Sequence, residues 1–497
     1  MKPIEKSLEK TLSALRGVLG LGVNDDLILR RFRALGLDCA VIYLDGMSDA
    51  KQIARYVLEP MMRCPQSLAG RAAYERMRDS LVRVSEIVEA QDLHTLTVAV
   101  MQGQCALLMD TVPDALLMDV RSYARRSVGT PRNEKVVIGA HEAFNEALRD
   151  NIALVRRRLS TPALMTKLLT VGTQSPTQVG LLYLSGVADP RVLAEAERRL
   201  AGAAVGSVQS AGMLMQLLED SPLAPLPQIL LTERPDRVVS FLLEGQVVLL
   251  VDGSPEALAA PIGFWHLFHA PDDSVMRAPY GTFLRLLRLF GLLVALLLPG
   301  LFVGLMLHDP GALPMSLLTS VLQSRVNVPM SLFSEALLML VIFDLINEAG
   351  TRVPGIMGSS LGLVSTLILG TAAVQAGLIS PLMIIVVALS GLGSYAVPSY
   401  PLSLSFRILQ LALLIVGGLA GPVGMLLGVL ALLCWVTGMR SLGRPFLSPL
   451  APWRPHNPDL ILRPPIYRQR LRGAMAAPGA PEKAVGRMRR MRHARGR

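Results

Sequence analysis

Hydrophobic residues are distributed very unevenly along this chain. Between residues 353 and 439, 87 residues in all, the only charged side chain is Arg407. The hydrocarbon core of a bilayer takes about 20 apolar residues per helical crossing. The stretch therefore predicts three or four transmembrane helices, and with them a membrane protein.

A membrane domain of about six transmembrane helices is expected over residues 283–445. The candidate segments are Leu289–Leu307, which Pro299 interrupts, Val328–Ile346, Gly355–Ala376, Pro381–Val397 and Ile408–Met439. The last segment has 32 uncharged residues and as one helix would be about 48 Å long, which overshoots a bilayer. Because Gly421-Pro422 offers a break, we expect two crossings there and an even count overall.

Glycines at helical spacing recur in this half of the chain. The small-xxx-small pairs are Gly300 with Gly304, Gly358 with Gly362, Gly417 with Gly421, and Gly424 with Gly428. Such pairs allow helix backbones to approach closely in a membrane. They indicate helix packing, either within one chain or at a subunit interface.

The N-terminal half contains an internal duplication. Ala40–Asp49 matches Gly180–Asp189 at an offset of 140, and Gly103–Leu116 matches Gly245–Leu258 at an offset of 142. Each copy begins with a short apolar run and a Gly and Asp turn, continues as a helical pattern and ends in two apolar runs separated by turn residues. We therefore predict two similar small α/β subdomains, 1–130 and 131–262, followed by an interfacial transition over 263–282.

Charge places these parts relative to the membrane. The net charge of +11 comes almost entirely from the last 47 residues, which lie within a predicted basic tail over 446–497. Arg285 and Arg288 precede the first crossing and Asp309 follows it, which by the positive-inside rule places the N-terminal domain in the cytoplasm. Six crossings return the tail to the same side, and the four unpaired cysteines also suit a reducing compartment.

Sequence motifs for catalysis or cofactor binding are missing, so we expect neither an enzyme nor a bound metal. His266 and His269 have metal-ligand spacing, but without a nearby third ligand the Phe264–His269 segment is more typical of lipid headgroup level. The basic run Arg156-Arg157-Arg158 ends a predicted helix. It suggests a solvated face or an interaction with the C-terminal helix dipole, or else contact with a partner or anionic lipid, and not nucleic acid.

Three acidic residues stand in or beside the second candidate crossing. Asp344 and Glu348 share one helix face and Glu335 lies roughly opposite Asp344. Intramembrane acids usually face protein or water, so cation or proton passage is one interpretation; an interfacial helix, or pairing with Arg352, is the other. A pore would be lined by the Gly355–Ala376 segment, whose polar positions are Ser359, Ser360, Ser365, Thr366 and Thr371.

Several short segments resemble those of one known family and occur in the same order as in that family. They are Asn151–Leu159, Tyr183–Pro190, Thr232–Asp236, Leu242–Gly245, Val251–Pro255, Phe283–Arg288, Ala396–Leu404 and Arg440–Pro449. The family is that of the A subunits of GerA-type spore germination receptors. Leu19–Val23, Phe264–His269 and Asp459–Pro465 favour its stage V sporulation protein AF branch, whereas Ile138–Phe144 lacks the basic residues usual there.

The resemblance implies a protein of the inner membrane of the bacterial spore that acts in germination and ion release. It implies a homo-oligomer that serves as a signalling or ion-channel component. The implied partners are membrane lipid and other germination receptor subunits or small membrane proteins. A secondary transporter and a non-conducting scaffold in sporulation are the alternatives.

Overall fold

The computed structural model has an α/β region followed by a helical region. It describes residues 2–68, 70–122, 129–131, 134, 136, 138–352, 370–453, 459–469, 471–473 and 482. The α/β region contains two five-stranded antiparallel sheets.

The first sheet has the strand order β1-β2-β4-β5-β3. Its strands are β1 Leu27–Ala34, β2 Leu37–Leu44, β3 Ile87–Ala90, β4 Cys105–Met109 and β5 Ala115–Met118. Its helical segments are Leu8–Leu19, Ala50–Gln52, Ile53–Leu58, Glu59–Arg63, Gly70–Arg76, Met77–Leu81 and Leu93–Met101. Helices cover both faces of the sheet, which is why every residue of β4 and β5 is buried.

The second sheet repeats this order as β6-β7-β9-β10-β8. Its strands are β6 Leu164–Val171, β7 Thr177–Leu184, β8 Leu230–Thr232, β9 Val247–Val251 and β10 Ala257–Ala260. Its helices are Leu148–Arg158, Pro190–Gly202, Ala211–Leu218 and Pro235–Glu244.

The register of the two sheets repeats at the offsets found in the sequence. Ile42 pairs with Ala106 in the first sheet, and Leu182 pairs with Val248 in the second, which are positions 140 and 142 residues later. Asp49 and Asp189 also correspond, since each carboxylate accepts backbone N–H bonds at the start of the following helix. The sheets therefore share one topology. The boundary between residues 130 and 131 stays a prediction.

The helical region follows a short amphipathic linker. Its elements are the linker helices Phe264–Phe268 and Pro271–Ser274, the long helix Ala278–His308, the short helices Pro310–Ala312 and Met315–Ser324, then Leu332–Arg352, Pro381–Tyr395 and Tyr400–Gly438. Within the described part of the chain, Ala278–His308 and Tyr400–Gly438 are long and apolar enough to cross a bilayer, while the apolar helix Pro381–Tyr395 is shorter.

The Tyr400–Gly438 helix is broken at Gly421. This residue has φ 64° and ψ −159°, a backbone conformation that glycine tolerates, and Pro422 follows it. A Cβ atom on Gly428 would lie 3.1 Å from Leu413, so the second arm folds back along the first. The segment is a helical hairpin, as the Gly-Pro step predicts.

Neighbouring helices pack both parallel and antiparallel to one another. Gly300 lies against Leu413 in a parallel arrangement of the first helix and the first hairpin arm. The Ser390 hydroxyl donates to the Ala295 carbonyl at 2.9 Å, and Pro381–Tyr395 runs antiparallel to the first helix. The first helix begins at Ala278, eleven residues before the predicted start, because Tyr280 and Phe283 extend its apolar surface.

The chain returns to the α/β region after the hairpin. Strands β11 Arg440–Ser441 and β12 Arg444–Pro445 form a small ribbon, and the Ile262 amide donates to the Ser441 hydroxyl at 2.9 Å. Phe446 is fully buried in the core shared by the second sheet and the helices. The first residues of the predicted basic tail are therefore packed structure.

Candidate functional site

The three acids predicted near the membrane have different surroundings. Glu335 is fully buried, and its Oε1 accepts bonds from the Ser380 amide at 2.7 Å and the Ser380 hydroxyl at 2.6 Å. Its Oε2 lies 3.3 Å from Nε of Arg325. Glu335 thus joins three segments at one end of the helices, which is a packing role within this chain.

Asp344 lies toward the opposite end of the same helix. Its Oδ1 is 3.2 Å from Nη1 of Arg407, whose guanidinium stands over the Tyr395 ring at 5.8 Å from the centroid. The one charge in the long apolar stretch therefore has an acidic partner. The alternative partner predicted for these acids, Arg352, has a side chain outside the described residues.

The other pore candidates lie only partly within the described chain. Glu348 and Thr371 are exposed on the surface of the helical region. The remaining candidates and one glycine pair lie outside the described residues: Ser359, Ser360, Ser365, Thr366, Gly358 and Gly362.

The glycines that are described pack within the chain. A Cβ atom on Gly417 would lie 2.5 Å from the Gly300 carbonyl oxygen, and one on Gly304 would lie 3.0 Å from that of Gly417. Gly424 and Gly428 face the first arm of the hairpin, and Gly421 faces His308. These contacts favour packing inside one chain over a subunit interface.

A buried ionic network joins the linker after the α/β region to the first long helix and to the chain that returns after the hairpin. Arg285 is 2% exposed; its Nη1 donates to Asp459 at 2.6 Å, and its Nε lies 3.3 Å from Asp273. Arg288 donates to the same Asp273 oxygen at 2.6 Å. Burial alone would raise the pKa of Asp273, but Arg288 and Arg285 outweigh it and hold that pKa below its ordinary value. The network ties the linker, the first helix and the returning chain together; we call it the junction network.

The Phe264–His269 segment packs inside the protein, and its place at headgroup level stays a prediction. Trp265 and Phe268 are buried in the core that the returning chain completes with Phe446. The Gly263 amide donates to Nδ1 of His266 at 3.1 Å, and Nε2 of His269 lies 2.6 Å from the Leu460 carbonyl.

Both histidines are neutral at physiological pH. Burial lowers the pKa of His266 to about 4 and that of His269 to about 3, and nearby arginines lower them further. The described residues contain no group of three side chains placed to hold a metal ion. The pair therefore serves backbone hydrogen bonding in this structure.

A cavity of about 350 Å³ adjoins the junction network. Its walls include Arg237, Glu244, His269, Asp273 and Asp459. This volume corresponds to roughly a dozen water molecules at liquid density. The lining combines charged side chains of both signs with apolar ones such as Phe241 and Trp265, and the cavity reaches Arg285 and Asp273 of the network.

The basic run divides into two kinds of contact. Arg156 is 1% exposed and forms a bidentate pair with Asp26, with Nε and Nη2 donating at 2.7 and 2.8 Å. It also donates to the Leu164 carbonyl of its own unit at 2.8 Å. The pair with Asp26 therefore binds the second unit to the first. Arg157 and Arg158 pair with Glu142 near the surface. The predicted solvated face, or contact with a partner or lipid, is wrong for Arg156.

Sequence reasoning missed Asp26, Asp273 and Asp459 as structural acids. Each aspartate is 12 to 174 residues away from the arginine that it pairs with, so no local spacing in the sequence predicts the ion pair. The only signal is that Arg285 and Arg288 share one face of an otherwise apolar helix start, where an unpaired charge is costly.

Comparison with known proteins identifies relatives along nearly the whole chain. The model of the family described as Bacillus/Clostridium GerA spore germination protein matches residues 15–475. Spore germination protein B1 of Bacillus subtilis is 35% identical over 90% of this chain and 92% of its own length. Spore germination protein GerLA of Bacillus cereus is 32% identical over 90% and 91%, and the membrane protein YfkQ of Bacillus subtilis is 31% identical over 98% and 94%.

A solved structure also matches part of the chain. The crystal structure of the N-terminal domain of the A subunit of the Bacillus megaterium spore germinant receptor GerK3 is 27% identical. The match covers 53% of this chain and 98% of that one, with a TM-score of 0.41.

Proposed function

Because the chain belongs to the GerA family of spore germination proteins, we propose that it is the membrane subunit of a germination receptor-like complex in the inner membrane of the bacterial spore. In this role it oligomerises as a signalling or ion-channel component for ion release during germination. Its partners are other germination receptor subunits or small membrane proteins. The preference for the stage V sporulation protein AF branch stays a prediction from the sequence.

The junction network is the observation that carries the signalling role. Arg285 belongs to the first membrane helix, whereas Asp273 precedes that helix and Asp459 follows the last one. Removing one partner of a buried ion pair typically costs about 3–5 kcal/mol, so the three segments move as one body. A displacement of the α/β region is then transmitted directly to the helices.

Six crossings with both termini in the cytoplasm form the proposed topology. The opposite directions of the first helix and Pro381–Tyr395 support it, as does the hairpin at Gly421, which supplies two of the crossings. The predicted crossing Gly355–Ala376, most of which lies outside the described residues, is needed to complete the count. Arg285 and Arg288 keep the α/β region on the cytoplasmic side.

The proposal extends to ion conduction through the oligomer. In an oligomer, the Gly355–Ala376 segment lines the pore and the Asp344–Glu348 end of the preceding helix forms its mouth. Rings of acids concentrate cations at such mouths. Since Glu335 is enclosed between Arg325 and Ser380, we assign it to packing and keep Asp344 and Glu348 for the mouth.

Germination of spores that lack the chain tests this role. A spore-forming host carrying a deletion is complemented with the wild-type chain, with Arg285→Met or with Arg277→Met, an exposed arginine one helical turn before Gly281. We expect nutrient-triggered ion release to return with the wild-type chain and Arg277→Met and to stay slow with Arg285→Met at equal protein level. Normal ion release in the deletion strain would contradict the proposal.

A further inference from the structure

The loop of residues 221–227 presents one apolar side chain entirely to the outside. Leu223 is 99% exposed, more than any other large hydrophobic residue in the described chain. The sequence of this loop, Ser-Pro-Leu-Ala-Pro-Leu-Pro, contains no charged residue. We call this segment the proline loop.

The proline loop is held in a fixed shape. The Ser221 amide donates to the Gln228 side-chain oxygen at 2.9 Å, and the Gln228 side-chain amide donates to the Ser221 carbonyl at 2.8 Å. Leu226 is buried in the core, and three prolines restrict the backbone. Leu223 is therefore displayed by a closed, rigid loop.

Its position along the membrane helices is known from one contact. The Ser405 hydroxyl donates to the Pro225 carbonyl. Ser405 lies five residues beyond Tyr400, which at 1.5 Å per residue is about 7 Å further along the hairpin arm. Tyr395 and Tyr400 are both exposed, as aromatic residues are at a membrane interface.

The same level can be located on the first helix. Gly300 lies against Leu413 and Gly304 against Gly417, so Ser405 is level with about residue 292. Tyr280, Phe283 and Phe290 are exposed on the cytoplasmic side of that level. The exposed aromatic surface of the first helix therefore begins about 18 Å before the proline loop, at 1.5 Å per residue.

Local chemistry suits contact with lipid. Three of the seven residues in the proline loop are prolines, which have no backbone N–H to leave unpaired in lipid. Both adjacent acids already have partners. Glu219 accepts a hydrogen bond from the Gln228 backbone N–H at 3.0 Å, and Asp220 pairs with Arg199 at 2.8 Å. No charge at the loop opposes insertion.

We propose that the proline loop inserts Leu223 into the interfacial layer of the bilayer that the helices cross. The inference rests on the membrane placement proposed above and adds a lipid anchor for the α/β region. The anchor lies beside the first hairpin arm, whereas the junction network lies beside the first helix. The α/β region is thus held to the membrane at two points and does not swing about its linker.

Fluorescent labelling of the full chain in phospholipid vesicles tests the anchor. A Cys64→Ser and Cys434→Ser background leaves Cys39 and Cys105, whose thiol pKa burial raises to about 12, so neither reacts readily. An environment-sensitive probe is attached at Leu223→Cys, at Val88→Cys as the aqueous control and at Leu426→Cys as the lipid-facing control. Each probe is quenched with iodide from water and with nitroxide-labelled lipids.

At Leu223→Cys we expect strong quenching by headgroup and shallow acyl-chain nitroxides, and iodide quenching several-fold weaker than at Val88→Cys. The Leu426→Cys probe should respond to lipid nitroxides whether or not the loop inserts, which separates failure of the anchor from failure of the membrane placement. Iodide quenching at Leu223→Cys equal to that at Val88→Cys would overturn the anchor. Protection from both quenchers would also overturn it, because protein and not lipid would then cover the loop.

Discussion

Removing Arg156 should destabilise the α/β region far more than removing its neighbour Arg157. Arg156 and Asp26 are 1% and 5% exposed, whereas Arg157 and Glu142 are 35% and 30% exposed. Truncating one partner of a buried pair costs about 3–5 kcal/mol, while an exposed pair contributes about 0–1 kcal/mol. We therefore expect Arg156→Ala to lower the free energy of unfolding by about 3–5 kcal/mol and Arg157→Ala by less than about 1 kcal/mol.

Most of this loss comes from the partners left behind. Arg156→Ala strands the Asp26 carboxylate and removes donors from the Asn24 side chain and the Leu164 carbonyl. The double variant Arg156→Met with Asp26→Leu removes both charges and keeps the volume. It should recover most of the stability, because well-packed apolar residues often replace a buried pair without cost.

Pulse proteolysis in urea on the detergent-solubilised full chain measures these values. Because Arg156 joins the two units, Arg156→Ala should also separate their unfolding into two steps with smaller urea dependence. Equal stabilities of Arg156→Ala and Arg157→Ala, within about 0.5 kcal/mol, would refute the reasoning. So would a double variant as unstable as Arg156→Ala.

Three further predictions concern the junction and the helices. Since His266 and His269 stay neutral when folded, the unfolded chain binds more protons below about pH 6, and stability should fall by up to about 2.7 kcal/mol per pH unit toward pH 4. The double variant His266→Gln, His269→Gln should reduce that slope in pH-dependent denaturation. The lowered pKa of Asp273 affects stability only at still lower pH, where protonation of its carboxylate removes the stabilisation by Arg288 and Arg285. Gly417→Ala should cost about 1–3 kcal/mol in thermal unfolding because its Cβ meets the Gly300 carbonyl, while Gly438→Ala, with nothing within 4 Å, should be close to neutral. Arg285→Met should expose residues 459–473 to protease and Arg277→Met should not; equal digestion patterns would contradict the account of the junction network.

Local sequence patterns predict those parts of the fold that local physics decides. The duplication offsets reappear in the sheet register, and the Gly421-Pro422 step ends a helix because glycine takes a positive φ and proline follows. The Gly417 spacing likewise indicates close packing, although it does not say against which helix.

Long-range partners decide the rest. Phe264–His269 has the composition of an interfacial segment, but Phe446 and Leu460, nearly 200 residues later, cover it. Arg156 belongs to a basic run whose other members are near the surface, and only the folded arrangement brings Asp26 to it. The sequence predicts Glu335 as a pore candidate, but it does not indicate the contacts of Glu335 with Arg325 and Ser380, which depend on the folded arrangement.

Single-channel recording from the purified oligomer in planar bilayers tests the central claim most directly. The account predicts cation-selective currents from the wild-type chain, and lower conductance or selectivity for Asp344→Asn and Glu348→Gln with assembly unchanged. The variant Glu335→Gln serves as the comparison, since its effect should fall on helix packing and stability. No current from the wild-type oligomer, or currents unaffected by Asp344→Asn and Glu348→Gln, would contradict the claim.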